Sequence, residues 1–172
     1  MKPLISTPLK RFLRDYRKDN PPARQVAALL QSVEFPVNVG SIFRMAEAAG
    51  IAPLVLSGIT PQPGQPTLDK VARHKTERVD WRYEADAVAA IRGLHDEGFQ
   101  VIALEITHES VPYHTYSYGD KVCFVAGHED HGVTKATLAA CDGAVFIPMY
   151  GKGRSLNVHV ALSIAVYHAL HA

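Results

Sequence analysis

Six short apolar runs punctuate the chain: QVAALLQSV (25–33), APLVLSG (52–58), RVDWRY (78–83), QVIALEI (100–106), KVCFVAG (121–127) and GAVFIPM (143–149). Most are continuous in apolar character and do not alternate, the pattern of strands covered on both faces of a parallel sheet. Between them the apolar spacing changes to three and four. VGSIFRMAEAAG predicts a helix that starts behind Asn38 as its N-cap and stops at Gly50. EADAVAAIRGLHDEG predicts a helix ending at Gly98, and VTKATLAAC a shorter one. Residues 155–171 predict a last helix, capped by Ser155 and apolar nearly all round. At the front, Thr7-Pro8 opens a helix with an apolar stripe of Leu9, Phe12, Leu13 and Tyr16. GITPQPGQPTLDK, with three prolines in six positions, reads as a semi-rigid surface loop. Strands and helices alternating through short links predict an α/β domain: a mostly parallel sheet with helices on both faces.

Composition narrows the class. A chain of 172 residues with 47% hydrophobic content suits one well-packed domain and excludes a disordered protein. No apolar run approaches the roughly 20 residues of a membrane span. The segment MKPLISTPLKRFLRDYRK threads charge through its apolar positions, unlike a signal peptide, so a cytoplasmic location is expected. Cys123 and Cys141 lie among apolar residues and read as reduced packing residues. Net charge is only +1, but two segments are locally basic. LKRFLRDYRK holds five cations against one acid, and residues 69–82 hold five Lys and Arg plus His74 against three acids. Such clusters can grip a phosphate backbone, and can equally be solvated helix faces.

In open α/β sheets, ligands gather beyond the carboxyl ends of the strands. The residues there are unusual for mere turns. EFPVNVGSIFR places Asn38, Gly40 and Arg44 at a helix entry, where free amides and a small residue can approach a phosphate and the guanidinium can pair with it. VAGHEDHGVT sets Gly127 and Gly132 around Glu129, with Gly127 open to close approach by a ligand or another backbone. His128, Glu129 and His131 lack the H-E-x-x-H zinc spacing, so no metal is expected. IPMYGKGRSLN turns sharply and brings Lys152, Arg154, Ser155 and Asn157 to the entry of the last helix. Its order, Gly-Lys-Gly-Arg-Ser, is not that of a nucleotide-binding P-loop.

Taken together and in this order, NVGSIFRMAEAAG, GHEDHGV and IPMYGKGRSLNVHVA resemble the three motifs of the TrmH/SpoU-type RNA ribose 2′-O-methyltransferases of the SPOUT class. The resemblance spans roughly residues 25–170. It leaves residues 1–24 as an N-terminal helical extension and residues 25–172 as the methyltransferase domain. It implies a C-terminal deep trefoil knot with glycines where backbones cross, bound S-adenosylmethionine, a homodimer and an RNA substrate, tRNA or rRNA. Matching positions make Leu104, Gly127, Ile147 and Leu156 the cofactor-binding residues, and Asn38, Arg44, Glu129, Ser155 and Asn157 the catalytic group. Within that group Asn38 is expected to fix Arg44. Neutralising a free guanidinium at pH 7 costs upwards of ~7 kcal/mol, so Arg44 is read as a cation that stabilises developing alkoxide. His128 and His159 stand where relatives often carry a small or amide residue. The alternatives are a non-catalytic knotted RNA-binding or assembly protein and a base-methylating enzyme of the same class.

Overall fold

Strand β1 (Gln25–Gln31) shows how the continuous apolar runs are used. Val26, Ala28 and Leu30 point into one core, and Ala27 and Leu29 into the other. In the computed structural model, which describes residues 1–172, six more strands share the sheet. They are β2 (Leu54–Ser57), β3 (Trp81–Tyr83), β4 (Gln100–Leu104), β5 (Val111–Pro112), β6 (Lys121–Ala126) and β7 (Gly143–Phe146). The order across the sheet is β3-β2-β1-β6-β4-β7-β5, and every pairing is parallel. All six predicted runs are strands. The seventh, β5, is two residues of the connection from β4 to β6, and it pairs on the outer side of β7.

The larger core lies under helices α2 (Pro36–Ala49), α3 (Pro66–Ala72) and α6 (Val158–His171). It is filled by Phe43, Ile42, Leu56, Phe124 and Leu162, all fully buried. The smaller core lies under α4 (Ala87–Asp96), with α5 (Lys135–Ala140) packed at its margin. Cys123 sits in it without access to solvent, and burial pushes its thiol up; Cys141 is pushed up to about 12 by burial and then by Asp142. Both thiols are free and inert at neutral pH. Helix α1 (Ser6–Asp19) buries no residue, and its stripe of Leu9, Phe12, Leu13 and Tyr16 stays exposed. No helix is long and apolar enough to cross a membrane.

Four expectations change. Helix α2 begins at Pro36, with Phe35 as N-cap, so Asn38 sits inside the first turn. Proline at the first helical position needs no N–H partner, which lets the helix start earlier than the Asn signal indicated. The same device operates at Pro66, so the proline-rich loop ends in α3, where the Gln65 side chain caps the Leu68 amide at 2.8 Å. A Cβ on Gly40 would meet Leu68 O at 2.7 Å, so this glycine serves the contact between α2 and α3, not approach to a phosphate. The last helix begins at Val158 with Asn157 as its cap, and Ser155 lies outside it.

Candidate active site

Three loops converge beyond the carboxyl ends of β1, β6 and β7. The loop after β6 is closed on itself. His128 N–H donates to Gly132 O (3.1 Å) and Gly132 N–H returns to His128 O (2.8 Å). The chain doubles back so tightly that a Cβ on Gly127 would lie 2.3 Å from Gly132 C and 2.4 Å from Val133 N. It is a neighbouring backbone that requires glycine here. Glu105, one residue beyond β4, braces the far side of the loop by accepting from Val133 N–H at 2.9 Å.

The loop projects Glu129 toward the start of α2. Its carboxylate accepts from Glu34 N–H (2.9 Å), Phe35 N–H (3.2 Å) and Asn38 Nδ2 (2.7 Å). Asn157 Nδ2 donates to Asn38 Oδ1 at 3.0 Å, while Asn157 Oδ1 accepts from His159 N–H at the start of α6. The result is a directed relay, Asn157 to Asn38 to Glu129, in which each amide orientation is set by its neighbour. Burial alone would push the Glu129 carboxyl up. The hydrogen bonds from Asn38 and the backbone outweigh it and hold the carboxyl below the ordinary carboxylate range. His128 Nδ1 accepts from Asp130 N–H at 3.0 Å, leaving Nε2–H to face Glu34 Oε2 at 3.2 Å. His159 Nδ1 is buried without a partner.

Beside this relay opens a cleft of about 820 Å³. Leu104, Gly127, Ile147 and Leu156 line it together with Asn38, Glu129, Ser155 and Asn157. Eight of the nine residues singled out from the sequence therefore share one cavity. Arg44 does not. It is exposed on α2, its side chain forms no hydrogen bond or ion pair, and it is not held by Asn38, whose side chain is engaged by Glu129 and Asn157. Glu105 was missed by sequence reasoning, although a carboxylate interrupting the apolar run QVIALEI near its end was a visible signal. The cleft volume falls within the roughly 300–1,000 Å³ of small-molecule sites, and its lining mixes apolar walls with convergent polar groups. Of the two basic clusters, the one on α1 has a single pairing, Arg14 with its neighbour Asp15. In the second, Lys75 and Arg78 pair with Glu47, and Arg82 with Glu97.

Comparison with known proteins agrees with this architecture. A tRNA (guanosine(18)-2'-O)-methyltransferase of Thermus thermophilus is 31% identical over 84% of this chain and 73% of its own length. Several other curated relatives are covered over only 57–60% of theirs. Among solved structures, the AdoMet bound rRNA methyltransferase from Sinorhizobium meliloti superposes with a TM-score of 0.78 at 26% identity, covering 87% of this chain and 57% of that one. A protein solved for the 2-OH methylation of C/U34 on tRNA superposes with a TM-score of 0.74 at 28% identity, over 86% of this chain and 95% of its own. Residues 25–167 match the sequence profile of the SpoU rRNA Methylase family. The chain belongs to the SpoU rRNA methylase family.

Proposed function

We propose that this chain transfers a methyl group from S-adenosylmethionine to the ribose 2′-hydroxyl of an RNA, a tRNA or an rRNA. One observation carries the reading: three loops far apart in sequence meet as the Asn157–Asn38–Glu129 relay at the mouth of a cleft large enough for a nucleoside cofactor. The named activities of the relatives and the bound AdoMet in one of them support the same reaction.

Bound in the cleft, S-adenosylmethionine supplies a methyl group on a sulfonium sulfur. Leu104, Gly127, Ile147 and Leu156 hold it in this reading. Glu129 locks the start of α2, Asn38 and Asn157 orient one another, and Ser155 offers a hydroxyl at the rim. Holding the ribose oxygen in line with the methyl group contributes much of the rate. Arg44 acts as a cation that grips the adjoining phosphate and stabilises the alkoxide that develops as the 2′-hydroxyl gives up its proton to water. Because it stands outside the cleft of its own chain, the reading requires a homodimer in which Arg44 of one copy faces the cleft of the other. It also takes the C-terminal third as threaded into a trefoil knot, residues 25–172 as the cytoplasmic enzyme domain, and α1 as a basic appendage.

The test is incubation with methyl-labelled cofactor and bulk RNA. Label in ribose 2′-O positions is expected, and its absence refutes the reaction. Arg44→Ala should lower transfer at least ~100-fold, the scale of one lost electrostatic contact to the transition state, with cofactor binding retained. Full activity in that variant removes Arg44 from the site. RNA binding without cofactor binding points to the assembly protein, and label on a base nitrogen to the base-methylating class.

A further inference from the structure

A second cavity, of about 390 Å³, opens farther along the same carboxyl edge, beyond β1 and β2 and against the start of α4. It shares a wall with the cleft: Val133 lines the one and the next residue, Thr134, lines the other. Its floor is Ser57, the last residue of β2, fully buried with an Oγ that has no hydrogen-bond partner. A buried hydroxyl without a partner is uncommon in a folded chain, and a bound group could satisfy it.

The rest of the lining agrees. Gln31 is nearly buried; its Oε1 accepts from Thr134 N–H, and its NH₂ has no partner in the chain. Ser32 is held with φ 57°, a strained backbone for a serine, and its hydroxyl lies where a Cβ of Gly58 would come within 2.2 Å. Asp86 uses Oδ1 to cap Val88 N–H at 2.8 Å and keeps Oδ2 free. No Lys or Arg lines the cavity, and its one charged side chain is a carboxylate. A phosphate is therefore disfavoured. A neutral ring with donors and acceptors on one edge fits: Gln31 NH₂ and Ser57 O–H can give hydrogen bonds while Asp86 Oδ2 accepts one.

We infer that this cavity takes an unpaired nucleobase of the RNA substrate, one next to the nucleotide whose ribose enters the cleft. The inference rests on the RNA reading above and deepens it. Unstacked bases are read on such edges by short polar side chains. The two cavities are fixed relative to each other, because Glu129 of the shared loop holds residues 34 and 35, just beyond Gln31 and Ser32.

The experiment follows backbone amides of Ser32, Ser57, Gly58 and Val88 by NMR in the full chain while adenosine, guanosine, cytidine and uridine are added in turn. At least one nucleoside should shift these amides saturably. Ser57→Ala should weaken that response roughly fivefold, the loss of one hydrogen bond of about 1 kcal/mol, without lowering the melting temperature. Ala136→Leu, which fills the mouth from α5 and leaves Ser57 intact, should abolish it. No shift with any of the four nucleosides at millimolar concentration overturns the inference. So does a Ser57→Ala variant that melts lower yet binds unchanged, since the hydroxyl would then serve the fold. Methylation of bulk RNA by the same preparations separates this from the preceding reading. Transfer without a nucleoside response sinks the cavity alone, and a nucleoside response without transfer sinks the reaction alone.

Discussion

The cleft has two walls of opposite construction. Residues 127–133 form one, closed by reciprocal backbone bonds, braced by Glu105 and tied to α2 through Glu129. Residues 147–156 form the other and make no hydrogen bond at all within the chain. Tyr150 is 96% exposed there, and a Cβ on Gly151 or Gly153 would meet nothing within 4 Å. The backbone groups of the second wall are left to water, a ligand or a second copy. One wall therefore fixes where groups stand, and the other is held by no hydrogen bond of its own. The glycines expected at backbone crossings in the second wall have open space around them, whereas Gly127 in the first has none.

Gly127→Ala attacks the fixed wall most directly. Its Cβ collides with backbone, which cannot rotate away, so we expect a loss of about 3 kcal/mol and of cofactor binding, read by chemical denaturation and calorimetric titration. Glu129→Gln should cost about 2 kcal/mol, because a charged acceptor of three hydrogen bonds becomes a neutral one. The sign with pH follows from its lowered carboxyl. That stabilisation is complete above the ordinary glutamate value and disappears as pH falls through the lowered one, so the gap in melting temperature between wild type and variant should close as the solution is acidified past the ordinary glutamate range. Gly153→Ala on the open wall should change stability by less than about 0.5 kcal/mol. A large loss there would show that the second wall is as tightly packed as the first.

The same contrast explains what could be read from the sequence. The strands were legible because burial on both faces writes itself as continuous apolar runs. Their order across the sheet was not, since β4 settles between β6 and β7 through pairings that no local pattern carries. The site residues were legible as a set, through glycines, amides and charges placed where a turn needs none. Their partners were hidden: Asn38 reads locally as a helix cap, and only contact with Glu129 and Asn157, 91 and 119 residues away, makes it the centre of a relay. Helix α3 was concealed by prolines that break helices in the interior but start them at the first position.

Strands β1 and β6 lie side by side, with Leu30 opposite Ala126, so the span bridged by the Glu129 carboxylate is set by sheet register. Whoever grafts the 127–133 segment of a relative into this scaffold must bring residues 34–38 with it. The two stretches act as one inherited cassette, and a chimera that splits them will have the right residues in the wrong embrace.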